Sequence, residues 1–178
     1  MKDSKIYVIV AVEKDTGIGK NGKIPWDLKK DMQHFKKMTT TTKDPSKQNA
    51  VMMGNITWES LPDSSRPLSK RKNLVLARDV NYKPDREGIP VKNSIEDGLN
   101  AMKEDDDVET IFIIGGASIY RQSVELPEID GIYITIIEHS YDCDTFFPQV
   151  PKRFKKETLL REEEENGIKI KFYLYETE

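Results

Sequence analysis

Two rhythms of apolar residues run along this chain. Short, nearly unbroken apolar runs at Ile6–Val12, Asn49–Met53, Asn73–Ala77, Thr110–Ile114 and Gly131–Ile137 read as buried strands. Between them the spacing turns helical. Leu28, Met32 and Phe35 recur at i, i+4 and i+7 across Asp27–Met38, with Asp27 as the cap. Thr57–Leu61 reads as a short helix stopped by Pro62, and Ala117–Val124 as a helix opened by Gly115-Gly116. Ser94, with Asp97 three residues on, resembles a capping box and starts a further helix. At the carboxyl end, Lys155–Leu160 and Ile168–Tyr175 fold across Asn166-Gly167 as a hairpin. The rest reads as connections: Glu13–Trp26 with Gly17, Gly19, Gly22 and Pro25, Thr39–Gln48 with Pro45, and the acidic run Glu162–Glu165 as a solvated turn. Strands alternating with helices, then an antiparallel end, predict an α/β fold with a mostly parallel sheet and helices on both faces. No repeat or linker interrupts the pattern, so one domain is expected over residues 1–178.

Asp31 breaks this pattern. It lies three residues after Leu28 and four before Phe35, on the apolar stripe and away from Lys29, Lys30, Lys36 and Lys37. An ionised carboxylate on a buried face is costly unless it is paired. Two readings follow. Asp31 sits at the stripe's edge, satisfied by a lysine or a backbone amide, or it awaits a ligand.

Composition narrows the setting. Lys+Arg 28 against Asp+Glu 31 gives a net charge of −3, and no basic patch is interleaved with aromatics, which argues against nucleic acid. The single cysteine, Cys143, excludes an intramolecular disulfide and fits a reducing compartment. The run Ile6–Val12 is too short for a membrane span and lacks a cleavage pattern. A soluble, cytoplasmic protein is expected, and a monomer, because no exposed apolar repeat demands a partner. His34 and His139 are not spaced as metal ligands, so no metal site is expected.

In such sheets ligands bind at the carboxyl ends of strands. Ile113–Tyr120 is a strand, two glycines and a helix start, where free amides suit a phosphate; the same pattern also suits a ligand-free tight turn. Met53–Trp58 repeats the arrangement, and the Thr57 hydroxyl could cap its helix or bind phosphate. Arg71 and Arg78 flank the strand Asn73–Ala77, and an arginine fork suits a carboxylate or phosphate.

These pieces, in order, resemble a known family. Ile9-Val10-Ala11-Val12, Gly17-Ile18-Gly19-Lys20-Asn21-Gly22, Pro25-Trp26, Asp31, Phe35, Met53-Gly54, Thr57-Trp58-Glu59-Ser60-Leu61-Pro62, Arg66-Pro67-Leu68, Arg71-Lys72-Asn73, Gly115-Gly116, Tyr120 and Asp144-Thr145-Phe146-Phe147-Pro148 together resemble dihydrofolate reductase. The likeness spans nearly the whole chain. The Thr39–Gln48 insertion and Asp144–Pro148 are closer to the eukaryotic, monofunctional type.

The resemblance implies an eight-stranded sheet with an antiparallel carboxyl-terminal strand, and reduction of 7,8-dihydrofolate to tetrahydrofolate with NADPH in one-carbon metabolism. It implies a catalytic group of Asp31, Trp26, Thr135 and Tyr120, in which Asp31 accepts from the pterin edge, Thr135 bonds the far side of its carboxylate and Trp26 holds a water. It implies a pterin pocket of Ile9, Val10, Ile24, Met32, Phe35, Ile114 and Thr135, a slot for the aminobenzoyl ring from Ser60, Leu61, Pro62 and Leu68, and Arg71 on the glutamate carboxylate. Antifolates would bind the same pocket. The cofactor would lie against Ala11, Ile18, Gly19, Gly22, Lys23, Gly54, Asn55, Ile56, Thr57, Leu76, Ala77, Arg78, Asn93, Ser94, Gly115, Gly116, Ala117, Ser118, Ile119, Tyr120 and Thr145, with Lys14–Lys23 as a lid. Cis peptides are implied at Arg66-Pro67 and Gly115-Gly116. Asn55 and Ile56 depart from the basic residues many relatives carry there, leaving Arg78 to hold the 2′-phosphate. Two alternatives stand beside this reading: a riboflavin-pathway reductase of the same fold, and a non-catalytic pterin- or nucleotide-binding protein.

Overall fold

The computed structural model describes residues 3–178. An eight-stranded sheet runs in the order β5-β4-β3-β6-β1-β7-β10-β9. These strands are β1 (Lys5–Glu13), β3 (Gln48–Gly54), β4 (Lys72–Leu76), β5 (Val91–Lys92), β6 (Val108–Ile113), β7 (Gly131–Ile137), β9 (Lys156–Glu165) and β10 (Ile168–Glu176). Pairings from β5 through β7 are parallel, and β10 is antiparallel to both β7 and β9. Four helices cover the sheet: α1 (Lys29–Thr40), α2 (Asn55–Ser60), α3 (Ile95–Glu104) and α4 (Ala117–Ser123).

Alternation along β1 shows how both faces are used. Val8, Val10 and Val12 join Ile95, Leu99 and Met102 of α3 and Tyr120 of α4 in one core layer. Ile9 points the other way, into a layer with Trp58 of α2 and Phe35 and Met38 of α1. The predicted helices on both faces are therefore present, and strand side chains sort between layers by their period of two.

The predicted loop Glu13–Trp26 contains a strand. β2 (Gly17–Gly19) pairs with β8 (Thr145–Phe146) in a separate two-stranded sheet. The acidic run Glu162–Glu165 is not a turn. It extends β9 to the hairpin, because Lys171 and Lys169 stand opposite Glu162 and Glu164, and opposite charges across a ladder offset the repulsion along it.

Helix α1 also departs from expectation. Its N-cap is Leu28, not Asp27, and no side chain of its own segment caps it. Met32 is 62% exposed, so it does not continue the stripe. The buried face instead carries Leu28, His34 and Thr39. His34 packs tilted against Phe172 of β10 with the ring centroids 4.2 Å apart, and Arg161 Nη1 is 3.3 Å from its Nδ1. Arginine can only donate, so this nitrogen accepts and the imidazole is neutral. Burial pushes its pKa down to about 4, with Arg161 and Lys37 adding to the fall.

On the opposite face, α3 approaches the sheet through Gly98, where a Cβ would fall 2.6 Å from Met52 Sδ and 3.0 Å from Leu76. In an open helix alanine is favoured over glycine by about 1 kcal/mol, whereas overpacking a core costs about 1–3 kcal/mol. The steric term wins here. Gly98→Ala is expected to lower the unfolding free energy by about 1–2 kcal/mol in urea titration; an increase would show that α3 lifts off freely.

Candidate active site

The carboxyl ends of β1, β3, β4 and β6 lie along one edge of the sheet, where the glycine turns follow β3 and β6, while Arg71 immediately precedes β4. Asp31 is the third residue of α1 and half-buried. The Trp26 indole N–H donates directly to its Oδ2 at 3.3 Å. Among the described residues no other side chain donates to this carboxylate. Thr135, buried on β7 beside Ala11 of β1, makes no direct hydrogen bond to it. Burial raises the Asp31 pKa from 3.8 to about 6; the Trp26 bond pulls it back and the Glu165 charge pushes it further up.

One apolar cluster collects Ile9, Phe35, Leu61, Leu68 and Ile114, all expected to meet substrate. Ile24 and Met32 stay uncovered, at 67% and 62% exposure. Val10 is a correction: its side chain packs in the opposite layer, so only its main chain can face this cluster. Ser60 and Pro62 are exposed, and the Ser60 hydroxyl donates to Thr57 O at 2.7 Å.

Arg71 is only 9% exposed. Its Nε donates to Ser69 O at 2.8 Å and its Nη1 to Thr39 Oγ1 at 2.9 Å, with the guanidinium 5.9 Å from the Phe35 ring centre. No acidic side chain among the described residues pairs with it, and burial alone lowers its pKa. Thr39 donates in turn to Phe35 O, and Asn49 Nδ2 donates to Thr39 O and Thr41 O. These two supports were missed from sequence, where both lie in a polar stretch without a motif.

The two glycine turns meet. Gly54 N–H donates to Gly115 O at 2.9 Å, and a Cβ on Gly116 would sit 3.2 Å from Thr57 Oγ1. Gly115 has φ +118, which only glycine adopts easily, and the Tyr120 ring closes over it. The implied cis peptides at Arg66-Pro67 and Gly115-Gly116 are both present. Thr57 does not cap α2, whose N-cap is Gly54. The Tyr120 hydroxyl donates to Ile9 O at 2.9 Å, which ties α4 to β1 and leaves it no proton to give a ligand. Ala117, Ser118 and Ile119 form the half-buried first turn of α4.

Beside these turns Leu76 and Ala77 are buried, Arg78 and Ile56 are exposed and Asn55 is half-buried. Asn93 donates to Ala77 O at 2.9 Å, and Ser94 accepts from Asp97 N–H as the cap of α3, as expected. Ile18 and Gly19 lie in β2, beside Thr145 of β8, while Gly22 and Lys23 are exposed in the turn that follows. Asp144 holds that turn by accepting from Asn21 N–H at 2.9 Å and donating its own N–H to Gly19 O at 3.0 Å.

The two shifted groups on α1 oppose each other in stability. Folded Asp31 keeps a proton up to about pH 6 that the unfolded chain loses near 3.8, so its contribution falls as pH rises through that window. His34 titrates near 4 when folded and 6.5 when free, so its contribution is lost as pH drops from 6.5 towards 4. Each is worth on the order of 2–3 kcal/mol at full extent. Ligand-free Asp31→Asn is expected to be about 2 kcal/mol more stable than the parent at neutral pH and to weaken on acidification to about pH 4.5, whereas His34→Gln strengthens over that range. Urea unfolding at both pH values measures this, and parallel profiles would contradict it.

Comparison with known proteins agrees with this geometry. The family model described as dihydrofolate reductase matches residues 5–177. The dihydrofolate reductase of Drosophila melanogaster is 37% identical over 177 residues, covering 97% of each chain. That of Heliothis virescens is 41% identical over 155 residues, covering 86% of this chain and 84% of its own. The solved dihydrofolate reductase of Schistosoma mansoni superposes with a TM-score of 0.83 at 35% identity, covering 98% and 99%. Matched by the family model over residues 5–177 and by relatives 37–41% identical, the chain belongs to the dihydrofolate reductase family.

Proposed function

We propose that this chain reduces 7,8-dihydrofolate to 5,6,7,8-tetrahydrofolate with NADPH. The observation that carries the reading is the half-buried Asp31 carboxylate, which among the described residues has one neutral donor and no cation. A pterin edge offers the missing partners, an amino group and a ring N–H that a carboxylate accepts side by side. That pairing offsets the burial that holds the acid near pH 6. Ile9, Phe35 and Ile114 cover the ring, and Leu61 and Leu68 the aminobenzoyl group. Arg71, buried without a counter-ion, takes the glutamate carboxylate at the other end.

The glycine turns fit a dinucleotide. Any Cβ on Gly116 would intrude on Thr57, and one on Gly54 would fall 3.2 Å from Ile119, so the backbone there stays open to close approach. Arg78, flanked by Asn93 and Ser94, suits the 2′-phosphate that distinguishes NADPH. When bound, NADPH supplies the hydride. Asp31 orients and polarises the ring that receives it. As in the family it resembles, water would deliver the proton to N5; the Tyr120 hydroxyl is committed to Ile9 O. The Lys14–Lys23 segment, tethered through Asp144, shields the site from bulk water.

The test is turnover of dihydrofolate with NADPH, followed by loss of nicotinamide absorbance. Asp31→Asn should keep cofactor binding and lose at least about a hundredfold in kcat at neutral pH; near-parental activity would refute the role. Comparing kcat/KM for NADPH and NADH tests Arg78, and a preference for NADH would refute it. Arg71→Ala should weaken folates by about tenfold or more and leave lipophilic antifolates without glutamate within about twofold; equal losses would contradict the assignment.

A further inference from the structure

We infer that Glu165, at the tip of the carboxyl-terminal hairpin, is a positioning residue for Asp31: its carboxylate caps α1 from the far end of the chain and fixes where the acid stands. This rests on the reading of Asp31 as the substrate anchor.

A helix begins with N–H groups that have no partner inside it. The segment leading into α1 provides none, since Leu28 occupies the N-cap and makes no side-chain bond. Glu165 fills the gap. Its Oε2 accepts from Lys29 N–H and its Oε1 from Lys30 N–H, each at 2.9 Å. Both oxygens of one carboxylate thus grip adjacent amides, and the next residue is Asp31. A cap from the local chain would tie the helix only to its own lead-in. This one ties it to the edge strand of the sheet, so the height of Asp31 above the sheet is set by β9.

The rest of that strand face does the same. Residues 161, 163 and 165 point one way because strand side chains alternate. Glu163 bonds Lys30 Nζ at 3.1 Å and lies 3.4 Å from Arg161 Nε. Arg161 reaches His34 and stacks 4.1 Å over Phe172. The intervening Glu162 faces Lys171 instead.

The cap is also a charge. The charged and titratable groups beside Asp31 along the chain are Lys29, Lys30 and His34 on α1; β9 brings Glu165, and across the sheet the Asp31 charge acts on Tyr120 of α4. Of the charges near it, Glu165 is the one that acts on the Asp31 carboxyl, adding to burial. A carboxylate is favoured at a helix N-terminus, and the two amides hold Glu165 itself ionised. A second anion on the same turn then disfavours ionisation of Asp31 until a donor edge stabilises the carboxylate.

The test compares the parent with Glu165→Ala, Glu165→Gln and, as control, the exposed neighbour Glu164→Ala. KM for dihydrofolate and for NADPH is measured alongside the carbon-13 titration of the Asp31 carboxyl in ligand-free protein. Glu165→Ala should raise KM for dihydrofolate about tenfold and leave KM for NADPH within about twofold. Glu165→Gln keeps an acceptor and loses the charge. It should recover most of that KM and still lower the Asp31 midpoint by about half a pH unit. Glu164→Ala should change neither. KM values that move together, or an Asp31 midpoint unmoved in Glu165→Gln, would overturn the inference. If the parent itself shows no dihydrofolate turnover, the functional reading fails, and the Asp31 midpoint alone still decides whether Glu165 acts on it.

Discussion

The candidate site centres on a carboxylate that has no counter-ion among the described residues. Asp31 stands in the first turn of α1, half-buried, with a single indole N–H at 3.3 Å. The Lys30 ammonium bonds Glu163, and the backbone amides of Lys29 and Lys30 bond Glu165. Its rise to about pH 6 is the trace of an unmet need for donors. A chain selected for stability alone would place a neutral residue there. Retaining the acid makes sense where a ligand supplies what the fold withholds.

The same imbalance, with the opposite sign, recurs at Arg71. Its guanidinium is buried on Ser69 O and Thr39 Oγ1 and meets no acid. Arg71 lies over Phe35, a member of the apolar cluster with Ile9, Leu61, Leu68 and Ile114. An anion, an apolar bridge and a cation in sequence describe the complement of a ligand with a donor edge, an aromatic middle and a carboxylate end. Parallel topology makes this possible. Parallel strands bring the glycine turns after β3 and β6 to a single edge, and the period of two sends Ile9 to one core layer while Val10 goes to the other.

Much of this was legible in the sequence. Parallel strands are buried on both faces, so their apolar runs stand out, and Gly131–Ile137 matches at both ends. The oddness of Asp31 was legible from spacing, although Met32, used to draw the stripe, points outward. What escaped depends on partners remote in the chain. The Glu162–Glu165 run resembles a turn until Lys169 and Lys171 are placed across from it. The cap of α1 comes from Glu165, which no local motif can announce. Thr39 and Asn49 gain their roles only once Arg71 is brought beside them, and β2 forms only because β8 arrives to pair with it.

The most direct measurement is the titration of the Asp31 carboxyl by carbon-13 NMR, in free protein and with a folate bound. The account predicts a midpoint near 6 in the free protein, because burial is uncompensated, and a clearly lower midpoint once the pterin edge donates to the carboxylate. A free-protein midpoint near the ordinary 3.8, or one that a bound folate leaves unmoved, would contradict the claim that the fold withholds a partner that the substrate provides.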